Sequence, residues 1–166
     1  MLTLHTKINS AETIAAQLIL PYDLREKSRL RATLSNGEEV GVFTTRATVL
    51  RHGDLLTGDD GRVIQIVSAA EPTYRVECAT AHGLLRCAFH LGNRHTQAEV
   101  GAGFLRIRQD SVLKEMLEGL GAVVTPDNAP FEPESGAYSG AGHHHAAHPL
   151  APIPLRQKIH RPSDPG

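Results

Sequence analysis

Residues 73–124 read TYRVECATAHGLLRCAFHLGNRHTQAEVGAGFLRIRQDSVLKEMLEGLGAVV, and their apolar pattern changes repeatedly between strand and helix periods. The run from Tyr74 to Cys78 alternates apolar and polar side chains, which predicts a strand. Helical spacing follows, with apolar side chains at Leu84, Leu85, Ala88 and Phe89. Thr80 is a candidate N-cap, because its hydroxyl can accept a hydrogen bond from an amide of the first turn. Gly92 is a candidate C′ residue, so we predict that the helix ends just before it.

The remainder of this stretch repeats the alternation. Residues 100–107 predict a hairpin with two glycines near its turn. Asp110 can cap a second helix, which Gly121 is expected to stop. The apolar face of that helix consists of Val112, Leu113, Met116, Leu117 and Leu120. With a last strand at residues 123–124, the order β-α-β-β-α-β predicts a ferredoxin-like unit, in which both helices cover one face of a four-stranded sheet.

The preceding residues 1–72 have a β pattern. Asn36-Gly37 separates two runs of alternating side chains. This dipeptide is the strongest short signal for a hairpin, because both turn residues need positive φ. A second hairpin is predicted at residues 59–61, and residues 52–54 predict another turn. We therefore expect a small antiparallel β domain over residues 1–72, with Glu71-Pro72 as its linker to the next domain.

The composition of the chain changes after residue 125. Eight of the ten prolines lie between Pro126 and Pro165. Such a segment buries too little apolar surface to offset the entropy of ordering it. We expect residues 73–138 to form the second domain and residues 139–166 a flexible tail rich in histidine and proline. The predicted fold class is α+β: a β domain, a ferredoxin-like βαββαβ domain and this tail.

The net charge and the composition of individual segments argue against several classes of partner and location. The chain has 17 basic and 18 acidic residues and a net charge of −1, which gives no electrostatic reason to expect a nucleic acid or a membrane surface as partner. The first twenty residues do not have the pattern of a signal peptide, and no apolar run is long enough to cross a bilayer. Cys78 and Cys87 fit neither a CxxC ligand pair nor a disulfide framework. We therefore predict a cytoplasmic protein with two half-buried thiols.

Histidine is the unusual component, with ten among 166 residues. Four lie within six residues of the predicted tail: His143, His144, His145 and His148. Neutral imidazole is a common ligand of nickel, zinc and copper, and a flexible segment can wrap an ion without a preformed cage. A remnant of an expression tag is the alternative, but tags are usually longer runs at a terminus. Composition therefore indicates a divalent metal without selecting one.

Two further histidines, His90 and His95, begin and end the string HLGNRH. Their separation of five does not place them on one helical face, so they should not chelate one ion together. Taken alone, His95 has the ordinary interpretation of a surface residue. In a C₂ dimer, however, a residue near the two-fold axis meets its own copy. His95 could then become a pair, and tail histidines of both subunits could complete the coordination sphere.

No catalytic motif is present in the sequence. The chain lacks GxSxG, HExxH and the phosphate-binding GxxxxGK[ST] pattern. Cys87 and His90 are three residues apart on the first predicted helix, but such a pair in a core is usually inert packing. We therefore expect a protein that is not an enzyme.

The string at residues 90–95 closely resembles the signature of UreE, a family of urease accessory proteins. Residues 112–117, VLKEML, and residues 129–138, APFEPESGAY, resemble further family segments, the latter with Ser135 as the visible difference. The resemblance covers nearly all of the chain up to Tyr138. It implies a homodimeric nickel metallochaperone with an N-terminal peptide-binding-like β domain and a ferredoxin-like domain for metal binding and dimerisation.

The resemblance also implies roles for individual residues and partners. It makes His95 the nickel ligand at the dimer interface and gives His90 a secondary or structural position. Some members carry two more histidines just before the second helix, where this chain has Gln109 and Ser111, so that additional surface site is not expected. The implied partners are the urease apoprotein and its accessory proteins, including the GTPase UreG.

Two other functions fit parts of the sequence. A passive nickel or zinc buffer would depend on the histidine tail alone, and a peptide-binding chaperone module would depend on the N-terminal domain. Ligand chemistry alone would also admit Zn²⁺ or Cu²⁺ at the same imidazoles. The choice of Ni²⁺ and of delivery to apo-urease therefore depends on the family resemblance.

Overall fold

A computed structural model describes residues 1–136 of the chain. Their first half contains β1 (Leu2–Ile8), β2 (Ala16–Leu20), α1 (Tyr22–Arg25), β3 (Arg29–Thr33), β4 (Glu39–Phe43), β5 (Leu55–Gly58) and β6 (Val63–Ser68). The second half contains β7 (Ala70–Glu77), α2 (Ala81–Asn93), β8 (Glu99–Gly101), β9 (Phe104–Arg108), α3 (Ser111–Gly119) and β10 (Val123–Pro130). The predicted α+β class is confirmed, and Met1–Glu134 form one compact unit. The predicted tail lies outside the described residues.

The N-terminal sheet has the strand order β2-β6-β5-β1-β4-β3. Both predicted hairpins are present, β3–β4 around Gly37 and β5–β6 around Gly61, and both glycines have positive φ. Within residues 1–136, two of the five pairings in this sheet are parallel, β1 with β4 and β2 with β6. The sheet is therefore mixed, and the antiparallel arrangement predicted from the sequence is wrong for these pairs. Parallel partners are joined by long connections, which a local alternating pattern does not specify.

The C-terminal sheet has the order β10-β7-β9-β8, and each of its pairings is antiparallel. With α2 and α3 between the strands, this is the predicted ferredoxin-like order. Both helices contribute to one apolar cluster with the strands: Val76, Cys87, Leu91, Leu105, Ile107, Leu117, Ala122 and Val124. The two helices therefore cover the same face of the sheet, as the sequence predicts.

Strand β10 is longer than the sequence predicts. It begins at Val123 but continues through Pro126 to Pro130, where the proline content indicates irregular chain. The strand lies at the edge of its sheet and pairs with β7 alone. An edge strand needs ladder hydrogen bonds on one side only, so it tolerates residues that lack an amide proton. Among residues 1–136, no helix has the length and apolar character that crossing a bilayer requires.

Candidate metal centre

The first helix of the C-terminal sheet begins at its predicted cap but ends later than predicted. The Thr80 hydroxyl accepts a hydrogen bond from the Gly83 amide at 3.0 Å. Helix α2 then runs through Gly92 to Asn93, so the prediction that Gly92 is the C′ residue is wrong. The residue in the C′ position is His95, whose φ is 54°.

The end of α2 is a Schellman motif built around His95. The His95 amide donates to the Gly92 carbonyl at 2.9 Å, and the Thr96 amide donates to the Leu91 carbonyl at 3.1 Å. These bonds satisfy carbonyls that the helix leaves without a partner. The motif needs a left-handed residue at C′, and His95 adopts that conformation. The backbone therefore turns at His95 and places it just beyond the helix end.

Helix α3 ends in the same motif with a different residue at C′. The Gly121 amide donates to Glu118 at 2.9 Å, the Ala122 amide donates to Leu117 at 3.1 Å, and the φ of Gly121 is 89°. Glycine adopts this conformation without steric cost, whereas a residue with a Cβ is strained by about 1–2 kcal/mol. The chain thus has histidine at a position that glycine fits better. Such an outlier supports a functional role for the side chain.

The imidazole of His95 is free to bind a ligand. The residue is exposed, and within residues 1–136 neither ring nitrogen has a hydrogen-bond partner. It borders a polar cleft of about 510 Å³. The cleft is lined by Glu26, His95, Thr96, Gln97, Arg108, Gln109, Asp110 and Leu113. One imidazole offers a single donor, so further ligands have to come from elsewhere.

His90 lies in a different environment, within α2. It is half-buried, and its ring packs edge-on against Phe89 with centroids 5.5 Å apart. Its backbone carbonyl accepts a hydrogen bond from Arg94 at 3.3 Å. Among the described residues, no three His, Cys, Asp or Glu side chains are grouped closely enough to hold an ion. The predicted secondary or structural role of His90 stays a prediction.

The predicted tail ligands His143, His144, His145 and His148 lie outside the described residues. The described chain nevertheless leads toward His95 before the tail begins. The Glu134 amide donates to the Ala98 carbonyl at 2.9 Å, and Ala98 is only three residues after His95.

An exposed apolar face of α2 runs toward the same end of the helix. Leu85 is 69% exposed and Phe89, one turn later, is 64% exposed. An adjoining groove of about 420 Å³ is mainly apolar and includes Leu85, Ala88 and Val100. Large exposed apolar patches usually mark surfaces that another molecule covers.

Sequence models of two domains match almost the whole chain. The model described as the UreE urease accessory protein N-terminal domain matches residues 2–69, and that of the C-terminal domain matches residues 71–160. The urease accessory protein UreE of Nitrosospira multiformis is 67% identical, over 99% of this chain and 98% of the relative. That of a Janthinobacterium species is 70% identical over the same shares.

The chain belongs to the UreE family of urease accessory proteins.

Membership of the UreE family assigns the chain a role in urease maturation, as an accessory protein and not as the catalytic enzyme. The region just before α3 offers no imidazole. Gln109 donates its side-chain amide to the Thr73 carbonyl at 3.2 Å, and the Asp110 carboxylate caps the helix by accepting from Leu113. In this UreE chain these side chains are engaged in fixing the start of α3.

Two features of the structure could not be predicted from the sequence. The Cys78 and Cys87 sulfurs lie 3.7 Å apart, although a spacing of nine gives no sign of it. Burial, and then the neighbouring Cys78, raise the pKa of the Cys87 thiol to about 11. The second feature is a charged network around Glu132, whose carboxylate accepts hydrogen bonds from Arg25 at 2.6 Å and from Arg51 at 3.2 Å.

Proposed function

We propose that this protein is a cytoplasmic nickel metallochaperone that carries Ni²⁺ to apo-urease. The proposal depends chiefly on one observation: His95 presents a free, exposed imidazole from a left-handed position that glycine would occupy with less strain. The ion would lie between the two His95 side chains of a homodimer. Tail histidines, among His143, His144, His145 and His148, would complete its coordination.

The exposed face of α2 supports a dimer. Leu85 and Phe89 together form an apolar stripe that ends near His95, so two copies packed along this face would bring their His95 residues toward the symmetry axis. Replacing Phe89 with Asp should shift the protein from dimer to monomer in light-scattering mass measurements. Val112→Asp is the matched control, because Val112 is 71% exposed on α3. A dimer unaffected by Phe89→Asp would contradict this face as the interface.

Release follows from the kind of ligands involved. Imidazoles that each supply a single donor can leave the ion one at a time, so that ligands of the recipient replace them stepwise. Protonated imidazole cannot ligate a metal, so binding should weaken at acid pH. The recipient would be apo-urease within its activation complex, including the GTPase UreG. The family supports nickel as the cargo, while Zn²⁺ and Cu²⁺ would also bind imidazoles in vitro.

Calorimetry with Ni²⁺ on a sample of known mass in solution tests the central site. The wild-type protein should bind one tight ion per dimer, and His95→Ala should lose that ion, because the pair of imidazoles is removed. His82→Ala is the matched control, since His82 is also exposed on α2. Unchanged nickel affinity in His95→Ala would refute the assignment.

The alternative is a passive divalent-metal buffer that acts through its tail. Truncation after Tyr138 separates the two functions. A carrier would retain one ion per dimer at His95, whereas a buffer would lose nearly all of its nickel binding. We also propose that residues 1–72 and 73–138 act as a peptide-binding-like domain and a metal-binding domain.

A further inference from the structure

The two cysteines of the chain form a pair that the proposed function does not use. Cys78 directly follows β7, and Cys87 lies in the middle of α2. Both are free thiols, and their Sγ atoms are 3.7 Å apart, which is within hydrogen-bond distance for sulfur. The packing of α2 against the sheet thus brings together two thiols that are nine positions apart in the sequence.

Gly83, in the first turn of α2, allows this close approach. A Cβ added at Gly83 would lie 3.2 Å from the Cβ of Cys78 and 3.6 Å from its Sγ. The first of these distances is shorter than an ordinary van der Waals contact. Glycine is disfavoured inside a helix relative to alanine, so close packing against Cys78 gives a physical reason for its presence here.

The two thiols differ in exposure and in acidity. Cys87 is completely buried, whereas Cys78 is half-buried and borders the groove of about 420 Å³ beside α2. Burial, and then the hydrogen bond with Cys78, raise the pKa of Cys87 to about 11, so Cys87 keeps its proton at neutral pH. Its S–H can therefore donate to Cys78 Sγ. A sulfur that accepts a hydrogen bond and borders a groove is the better nucleophile of the pair.

We propose that Cys78 and Cys87 form a site of reversible oxidation, at which a peroxide converts the two thiols into a disulfide. Cys78 reacts first, and Cys87 resolves the product. An accessible thiol beside a resolving cysteine is the usual arrangement of cysteines that sense oxidants. In a reducing compartment such a disulfide is transient, because cellular thiols reduce it again.

The reaction has two balanced steps. In the first, the Cys78 thiolate attacks one oxygen of hydrogen peroxide, the O–O bond breaks, and the departing hydroxide takes up the proton of the Cys78 thiol to leave as water. Cys78 is then a sulfenic acid. In the second, Cys87 Sγ attacks Cys78 Sγ, the S–O bond breaks, and the hydroxyl group leaves with the Cys87 proton as a second water. The two thiols together lose two electrons and two protons.

A disulfide at this position would act on the helix that presents His95. Bond formation brings the two sulfurs from 3.7 Å to about 2.05 Å. It joins the residue after β7 to the middle of α2, about two helical turns before His95. Oxidation would therefore constrain the element that carries the candidate metal ligand.

Treatment of the full-length protein with hydrogen peroxide in a chelating buffer tests the site. The wild-type protein should lose both titratable thiols without forming covalent dimers on a non-reducing gel, and it should regain both thiols in dithiothreitol. Cys87→Ser should stop at the sulfenic acid, which dimedone labels at Cys78 in mass spectrometry. Cys78→Ser should retain the Cys87 thiol under the same conditions, because Cys87 is buried and protonated. Circular dichroism checks the folding of each variant.

Gly83→Ala tests whether the reaction depends on the close contact. The added Cβ should displace Cys78 and slow disulfide closure by about tenfold, while the sulfenic acid at Cys78 forms at the wild-type rate. Gly92→Ala is the matched control, because a Cβ added there, in the same helix, meets open space. Its disulfide should close as fast as that of the wild-type protein.

Three results would each overturn the oxidation site. They are wild-type thiols that survive peroxide, a sulfenic acid at Cys78 of the wild-type protein that does not proceed to the disulfide, and dimedone labelling of Cys87 in Cys78→Ser. Equal closure rates in Gly83→Ala and Gly92→Ala would refute the dependence on the 3.7 Å contact. Nickel enters none of these measurements, so the proposed His95 site is tested separately, by His95→Ala.

Discussion

Replacing His95 with glycine should remove the metal site and at the same time stabilise the fold. His95 is the left-handed C′ residue of α2, with φ of 54°. Glycine accepts this conformation without a clash at Cβ, so the Schellman bonds of the helix end are retained. Most substitutions of a functional surface residue leave stability nearly unchanged. A gain in stability on substitution at this position would show that the protein keeps histidine there at the expense of stability.

The magnitude follows from the backbone conformation. Left-handed backbone costs a residue with a Cβ about 1–2 kcal/mol, although histidine tolerates it better than bulkier residues. Glycine has more freedom in the unfolded chain, which offsets about 0.5–1 kcal/mol of the gain. We expect a net increase of about 0.5–1 kcal/mol in the free energy of unfolding, or a rise in Tm of about 1–4 °C for a chain of this size.

Thermal unfolding followed by circular dichroism in a chelating buffer measures this gain, at a fixed protein concentration because a dimer's Tm depends on it. His95→Ala is the informative comparison, since it also loses the imidazole but keeps a Cβ at positive φ. Gly121→Ala, at the equivalent end of α3, should lose about 1 kcal/mol.

Two results would refute this reasoning. If His95→Gly unfolds at a lower temperature than the wild-type protein, His95 is not strained at the helix end. If it retains the nickel affinity of the wild-type protein, the imidazole is not the ligand.

Three further predictions concern other parts of the described chain. Gly92→Ala should raise the free energy of unfolding by about 0.5–1 kcal/mol in urea titration, because Gly92 is inside α2 with open space at its Cβ; a loss would mean that Gly92 ends the helix after all. Cys78 should react with iodoacetamide before Cys87 in mass spectrometry at pH 8, since Cys87 is buried and its pKa is about 11; equal labelling of the native protein would contradict this order. The native pKa of Glu132 is lowered, so its network stabilises the fold at neutral pH and this contribution is lost as the pH falls below about 4.5. Glu132→Gln should therefore show a shallower loss of stability in acid than the wild-type protein, and parallel pH profiles would argue against this linkage.

Much of the candidate site could be predicted from the sequence, but its geometry could not. The string HLGNRH identifies His95, because the family motif occupies only a few consecutive residues. The left-handed conformation of His95 depends on where α2 ends, and the glycine at position 92 suggested an earlier end. The charged network around Glu132 could not be predicted for another reason. Arg25 and Glu132 are 107 positions apart, and no local pattern relates them.

By itself, the sequence determined the elements whose causes are local. Asn36-Gly37 predicts the β3–β4 hairpin, although only Gly37, and not Asn36, adopts the positive φ expected of both. Thr80 and Asp110 cap helices through side-chain oxygens three residues from their donors, and alternating periods give the order βαββαβ. Tertiary structure alone decided the parallel pairing of β1 with β4, the extension of β10 along a sheet edge, and the position of residues 131–134 beside the loop after His95. The physical reason is the distance along the chain over which each kind of interaction acts. Steric preferences and caps act within one turn of chain, whereas strand partners and buried charges depend on which distant surfaces the packed core brings together.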